Sequence, residues 1–103
     1  MYALYVEQDA NPDFDAWKAM FDRDPLGREQ SGVRYYKISR SVDDPRRVVG
    51  ELEFDSRQEA EAFAAKLDKL WSDPQLPATN GQTRLVEVIE GKELGARSSR
   101  KVA

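Results

Sequence analysis

Apolar side chains along this chain recur every two residues in some stretches and every three or four in others, and the order of those stretches leaves few folds open. Tyr2 to Gln8, YALYVEQ, sets Tyr2, Leu4 and Val6 against Ala3, Tyr5 and Glu7, the alternation of a strand. Asn11-Pro12-Asp13 then reads as an Asn cap with proline at the first helical position, and Phe14, Trp17, Met20 and Phe21 give the helix an aromatic face. Asp24-Pro25 and Gly27 end it, and Leu26 to Gly32 is either a last irregular turn or a loop. From Val33 the β-formers VRYYKISRS lead through Val42 to Arg46, a hairpin connection, into VVGELEFD, where Val48, Gly50, Leu52 and Phe54 alternate with Val49, Glu51 and Glu53. Ser56 and Glu59 form a capping box ahead of a helix whose apolar stripe is Ala60, Phe63, Ala64, Leu67, Leu70 and Trp71. Ser72-Asp73-Pro74 stops it, Gln75 to Gln82 reads as a loop, and Arg84 to Glu90 is the last strand.

The order β-α-β-β-α-β, with short connections and right-handed crossovers, predicts an α+β fold of the ferredoxin-like type: a four-stranded antiparallel sheet with both helices on one face. Lengths agree, because a strand of about seven residues and a helix of about fifteen both span roughly 23 Å. Residues 1 to 91 form a single domain in this reading. The remainder, residues 92 to 103, carries Lys92, Arg97, Arg100 and Lys101 against Glu93 alone, and reads as a basic, mobile tail.

Composition excludes several kinds of chemistry. The 103 residues include no histidine and no cysteine, so a usual zinc site, a His- or Cys-ligated haem, a Cys nucleophile and a Ser-His-Asp triad are all out of reach. Neither metal nor cofactor is expected. The pairs Asp43-Asp44 and Asp22-Asp24 sit in a turn and beside a helix stop, where Asp is at home without any calcium. A net charge of -3 argues against a nucleic-acid partner, and no apolar run approaches the ~18 residues of a membrane span. The lack of a signal-peptide pattern and of disulfides makes a cytoplasmic location the simpler reading.

Two helices cover one side of such a sheet. With Leu4, Val6, Val48, Leu52 and Phe54 under the helices, the other side presents Ala3, Tyr5, Glu7, Val49, Glu51 and Glu53, a mixed surface that a second copy would bury sheet against sheet. A homodimer is therefore expected. A monomer with a partly solvated sheet is the alternative.

The first helix DFDAWKAMFD, the hairpin GVRYYKISRSVDDPRRVVGELEFDS and the second helix SRQEAEAFAAKL, in this order, resemble the dimeric α/β-barrel superfamily over residues 1 to 90, and within it the small antibiotic-biosynthesis monooxygenase-like and cyclase-like proteins. The resemblance implies a homodimer whose two sheets close into a barrel, with a ligand cavity between sheet and helices in each protomer. Haem degradation, which members of the superfamily perform with a histidine on iron, is disfavoured here. The cofactor-free monooxygenases use Asn, Trp and Tyr in their pocket, and only part of that set is present: Asn11 follows the first strand, and VVGELEFD carries no Trp.

Candidate substrate-binding residues are Trp17, Phe21, Arg34, Tyr36 and Tyr5; no catalytic residue is assigned. Trp17 and Phe21 line an aromatic pocket or simply fill the core. Tyr36 shares strand parity with Arg34, Ile38 and Arg40, and a Tyr beside an Arg polarises an enolate or phenolate oxygen, unless the arginine belongs to a charge lattice with Glu51 or Glu53. Gly50, inside a regular strand, marks a bulge or the close approach of a side chain or ligand. Trp71 reads as a lid whose indole N–H reaches a loop carbonyl. The expected function is binding of an aromatic or polyketide-like small molecule, with monooxygenase- or cyclase-like chemistry if catalytic; the alternative is a non-catalytic dimeric interaction or scaffold domain.

Overall fold

The computed structural model describes residues 1 to 95; the rest of the expected basic tail lies outside the described residues. Its elements are β1 (Tyr2–Ala10), α1 (Phe14–Asp22), β2 (Val33–Arg40), β3 (Arg47–Phe54), α2 (Arg57–Trp71) and β4 (Ala78–Glu87). All neighbouring strands are antiparallel, in the order β2-β3-β1-β4, which is the ferredoxin-like arrangement expected from the sequence. No helix among the described residues is long and apolar enough to cross a membrane.

Register decides which side chains meet the helices. Leu4 lies opposite Leu52, Val6 opposite Gly50 and Tyr2 opposite Phe54, so one pleat of β1 and β3 forms a continuous apolar face. Against it α2 packs Ala60, Phe63 and Leu67, and α1 packs Trp17 and Met20 over Ala10, Val48 and Ala78. Leu4, Val48 and Phe54 are fully buried, each side chain stabilising the fold by about 1.5–3 kcal/mol. The capping box at Ser56 holds: its Oγ accepts from the Glu59 N–H at 3.1 Å.

Three local expectations are corrected. The cap of α1 is Asp13, whose Oδ1 accepts from the Ala16 N–H at 2.9 Å, and not Asn11, whose own N–H donates to the Pro77 carbonyl and keeps the chain strand-like for longer. The last strand starts at Ala78 and not at Arg84, and it ends at Glu87 and not at Glu90. Its first half was hidden by Asn80-Gly81, which is no turn but a β-bulge: Asn80 takes φ +55°, and the pairing with β1 shifts between Glu7 and Asp9. The Trp71 indole N–H, finally, donates not to a loop carbonyl but to Gln8 Oε1 on β1, at 3.1 Å.

Gly81 explains how Trp71 reaches that position. A Cβ there would lie 2.5 Å from the indole ring, so only glycine lets the ring rest on the β4 backbone. Replacing Gly81 with Ala should push Trp71 off Gln8 and cost about 1–3 kcal/mol. Urea unfolding measures that loss, and a red shift of tryptophan emission should accompany it.

Candidate ligand-binding site

Between the helices and the sheet lies an apolar cavity of about 60 Å³. Its floor is Val6 and Gln8 of β1, Ile38 of β2, and Gly50 and Leu52 of β3. Trp17, Met20 and Phe21 of α1 form one wall, and Phe63, Leu67, Leu70 and Trp71 of α2 the other. The turn after α1 edges the space with Asp24, Pro25, Leu26 and Arg28, and Leu76 completes it. Gly50 thus lies on the floor of this space: a Cβ there would meet Ile38 Cδ1 at 3.4 Å, with Leu52 Cδ1 and the Val6 carbonyl in ordinary contact at 3.8 Å. Neither a bulge nor an aromatic contact accounts for it.

The helix-one aromatics form a ladder. Phe14 tilts against Trp17 with centroids 5.8 Å apart, Trp17 stacks on Phe21 at 5.0 Å, and Tyr36 meets Phe21 edge-on at 5.3 Å. A guanidinium closes each end. Arg40 lies over Phe14 at 4.6 Å, and Arg28 lies over Phe21 at 3.9 Å and over Tyr36 at 4.9 Å. Arg28 is held further by the Phe21 carbonyl, which accepts from Nη1 at 2.9 Å, and by Asp24 at 3.4 Å. Asp24 in turn takes φ +53° and accepts from the Arg28 N–H at 2.9 Å, which fixes the turn that edges the cavity.

Two residues that line this apolar space carry buried polar groups. Gln8, 6% exposed, is engaged through the bond from Trp71. Trp17 is 2% exposed, and among the described residues its Nε1 is the buried side-chain polar atom without a hydrogen-bond partner. Such an orphaned donor costs about 1–3 kcal/mol.

Trp17 and Phe21 therefore line a cavity, as the pocket reading of the sequence requires. Tyr36 is opposite Leu52 and so belongs to the helix side, whereas Tyr35, opposite Glu53, belongs to the other. Tyr36 is half exposed and lines an outer groove with Arg28 and Val33. Arg34 is not its partner: the register slips between Val33 and Tyr35, and Arg34 Nε donates to Asp55 at 3.0 Å. The arginine beside Tyr36 is Arg28, whose guanidinium lies over its ring. Composition gave no sign of Arg28, since its segment reads as turn or loop, and it meets Phe21 because the turn after α1 folds back on the helix. Asp22 and Asp44 are likewise occupied, by Lys18 and by the Arg46 N–H.

Tyr5 lies on the far side of the sheet, in a shallow concavity with Glu7, Val49, Gln82, Arg84 and Val86. A hydrogen bond to Glu51, with burial and the charge of Glu51 and Glu53 adding to it, pushes its phenol above the ordinary tyrosine value, so it is a proton donor on that face and no base. On the same face Arg47 bonds Glu7 at 3.0 Å and Asp9 at 3.1 Å. Asn80 Nδ2 donates to Asp9 at 2.8 Å, and that bond, followed by the one from Arg47, lowers the Asp9 carboxyl below its ordinary value of 3.8.

The fold is that of several solved structures. A candidate antibiotic biosynthesis monooxygenase from Deinococcus radiodurans superposes with a TM-score of 0.64 at 13% identity, over 93% of this chain and 100% of that one. A similar candidate from Chloroflexus aurantiacus gives 0.63 at 16% identity, over 91% and 98%. A dimeric ferredoxin-like protein from an uncultured marine organism gives 0.61 at 18%, over 88% and 97%. The resemblance read from the sequence thus holds at the level of fold. No protein-family model matches the sequence, and neither does any curated protein.

The Asp9 network sets a pH dependence. Because its folded-state pKa lies below the unfolded value, its stabilisation is complete above about 4 and is lost as pH falls through the folded value. Asp9→Asn should therefore be less stable than the parent at pH 7. The gap between their urea midpoints should narrow towards pH 2.

Proposed function

We propose that residues 1 to 91 act as one domain of a homodimeric α/β-barrel protein that binds a small aromatic or polyketide-like molecule between α1, α2 and the sheet. One observation carries the reading: Trp17 and Phe21, stacked on each other, stand in the wall of an apolar cavity edged by an arginine. A core that is merely packed leaves no such space between its layers, whereas an apolar ligand fills it. The aromatic ladder offers stacking surface, and Arg28 offers a fixed charge to an oxygen that becomes phenolate or enolate. That is chemistry suited to cofactor-free oxygenation or cyclisation, and it needs no histidine or cysteine.

The mixed outer face of the sheet supports the dimer. Tyr5, Val49 and Val86 are apolar surface on a face without helices, and one of the similar structures is itself described as dimeric.

Cavity size favours a second reading, the non-catalytic interaction domain. A space of about 60 Å³ is under half of the ~150 Å³ that takes up benzene, so a ring enters only when Arg28 swings off Phe21. Binding of 1-naphthol, followed by tryptophan emission, should be saturable. Gly50→Val, which fills the floor with a good strand former, should weaken it about tenfold or more while leaving the fold intact. Unchanged binding by the variant, or none by the parent, overturns the ligand reading. Oxygen uptake on adding a phenolic substrate separates an oxygenase from a domain that only binds. Light scattering at micromolar concentration should give twice the 11.8 kDa chain mass, and Val49→Arg should return it to one.

A further inference from the structure

Resting on the homodimer reading, we infer that the second copy is recognised by charge: Arg84 of each subunit pairs, across the sheet-to-sheet interface, with the partner's Glu51. One row of the outer face holds the groups concerned. Lys37 of β2 lies opposite Glu51 of β3, Glu51 opposite Tyr5 of β1, and Tyr5 opposite Arg84 of β4, so all four side chains emerge on the side without helices. Their charges are not balanced where they stand. Glu7 and Asp9 are held by Arg47 at 3.0 and 3.1 Å, but Glu51 has Lys37 only at 3.9 Å, and Glu53 follows it on the same face of β3. The hydrogen bond from Tyr5 to Glu51, then burial and the charges of Glu51 and Glu53, hold that phenol above its ordinary value, the mark of a negative field at the centre of the face. On the edge strand β4, Arg84 is exposed and shares the outer concavity with Val49 and Val86. Among the described residues its guanidinium has neither a hydrogen-bond nor an ion-pair partner.

A face that is negative over β3 and carries a free cation on β4 is complementary to itself turned over. A twofold axis along the strands reads the order β2-β3-β1-β4 backwards, so β4 of one copy lies over β2 of the other, beside β3, and each row keeps its level. Stacked sheets are about 10 Å apart, a gap that an arginine reaching across and a glutamate reaching back close between them. Lys37 approaches the same carboxylate from the side, and Glu53 offsets its charge. The arrangement also rejects other occupants. An apolar surface that fits Val49 and Val86 would bury Arg84 without a counter-charge, which is strongly unfavourable.

Two charge reversals test the pairing. Arg84→Glu and Glu51→Arg each set like charges together at both symmetry-related contacts, and each alone should weaken the dimer at least about a hundredfold. Mixing the two variants restores both contacts: the acid introduced on one chain meets the base introduced on the other, and the unaltered Glu51 of the first meets the unaltered Arg84 of the second. Native mass spectrometry of the full chains should therefore show monomers from each variant and a heterodimer from the mixture. In the parent, where no variant has to fold, association should slow steeply as salt is raised from about 0.05 to 0.5 M. A parent dimer whose assembly ignores salt, variants as dimeric as the parent, or monomeric variants that stay apart on mixing each overturn the pairing and leave the homodimer standing. A parent that is monomeric at micromolar concentration overturns both.

Discussion

Everything in this fold hangs on the pleat of β1. It pairs with β3 on one side and β4 on the other, so its alternation is imposed on the whole sheet. Leu4, Val6, Gln8 and Ala10 point to the helices, while Tyr5, Glu7 and Asp9 point away, and a slip of one residue would exchange the two sets. The slip is prevented energetically, because it would expose a fully buried Leu4 and set carboxylates beneath α2. Once that parity is fixed, Trp17 and Trp71 close over the same strand from opposite helices, and the space they fail to fill is the cavity.

Much of this was legible from spacing alone. Period-two runs placed the strands, and the stripe from Ala60 to Trp71 placed α2 with its cap. The spacing of Trp17 and Phe21 sets them on one helix face, as pocket or core. What spacing could not resolve was anything decided by a single irregular residue. One extra residue between Val33 and Tyr35 turned Arg34 away from Tyr36, and no periodicity announces a bulge. Asn80-Gly81 concealed the start of β4 for the same reason: a dipeptide that favours φ > 0 serves a turn and a bulge alike.

Arg28 illustrates a different limit. Its importance comes from a turn that folds back on the helix before it, bringing a guanidinium onto Phe21 and Tyr36 at once. Hydrophobic patterning registers apolar positions, and a cation that stacks on aromatic rings is invisible to it. Fold could therefore be read from the chain far more completely than the edge of its cavity.

The bulge in β4 has a mechanical meaning. Asn80 belongs to the outer face, where its side chain holds Asp9 and its carbonyl accepts from Arg47 at 3.3 Å. Gly81, the very next residue, carries the Trp71 ring that walls the cavity on the inner face. Two consecutive residues thus act as a rivet through the sheet, with its head in an ion-pair network and its foot under an indole. Strain applied at either end is felt at the other, so the two sides of the sheet, chemically so unlike, cannot be rearranged separately.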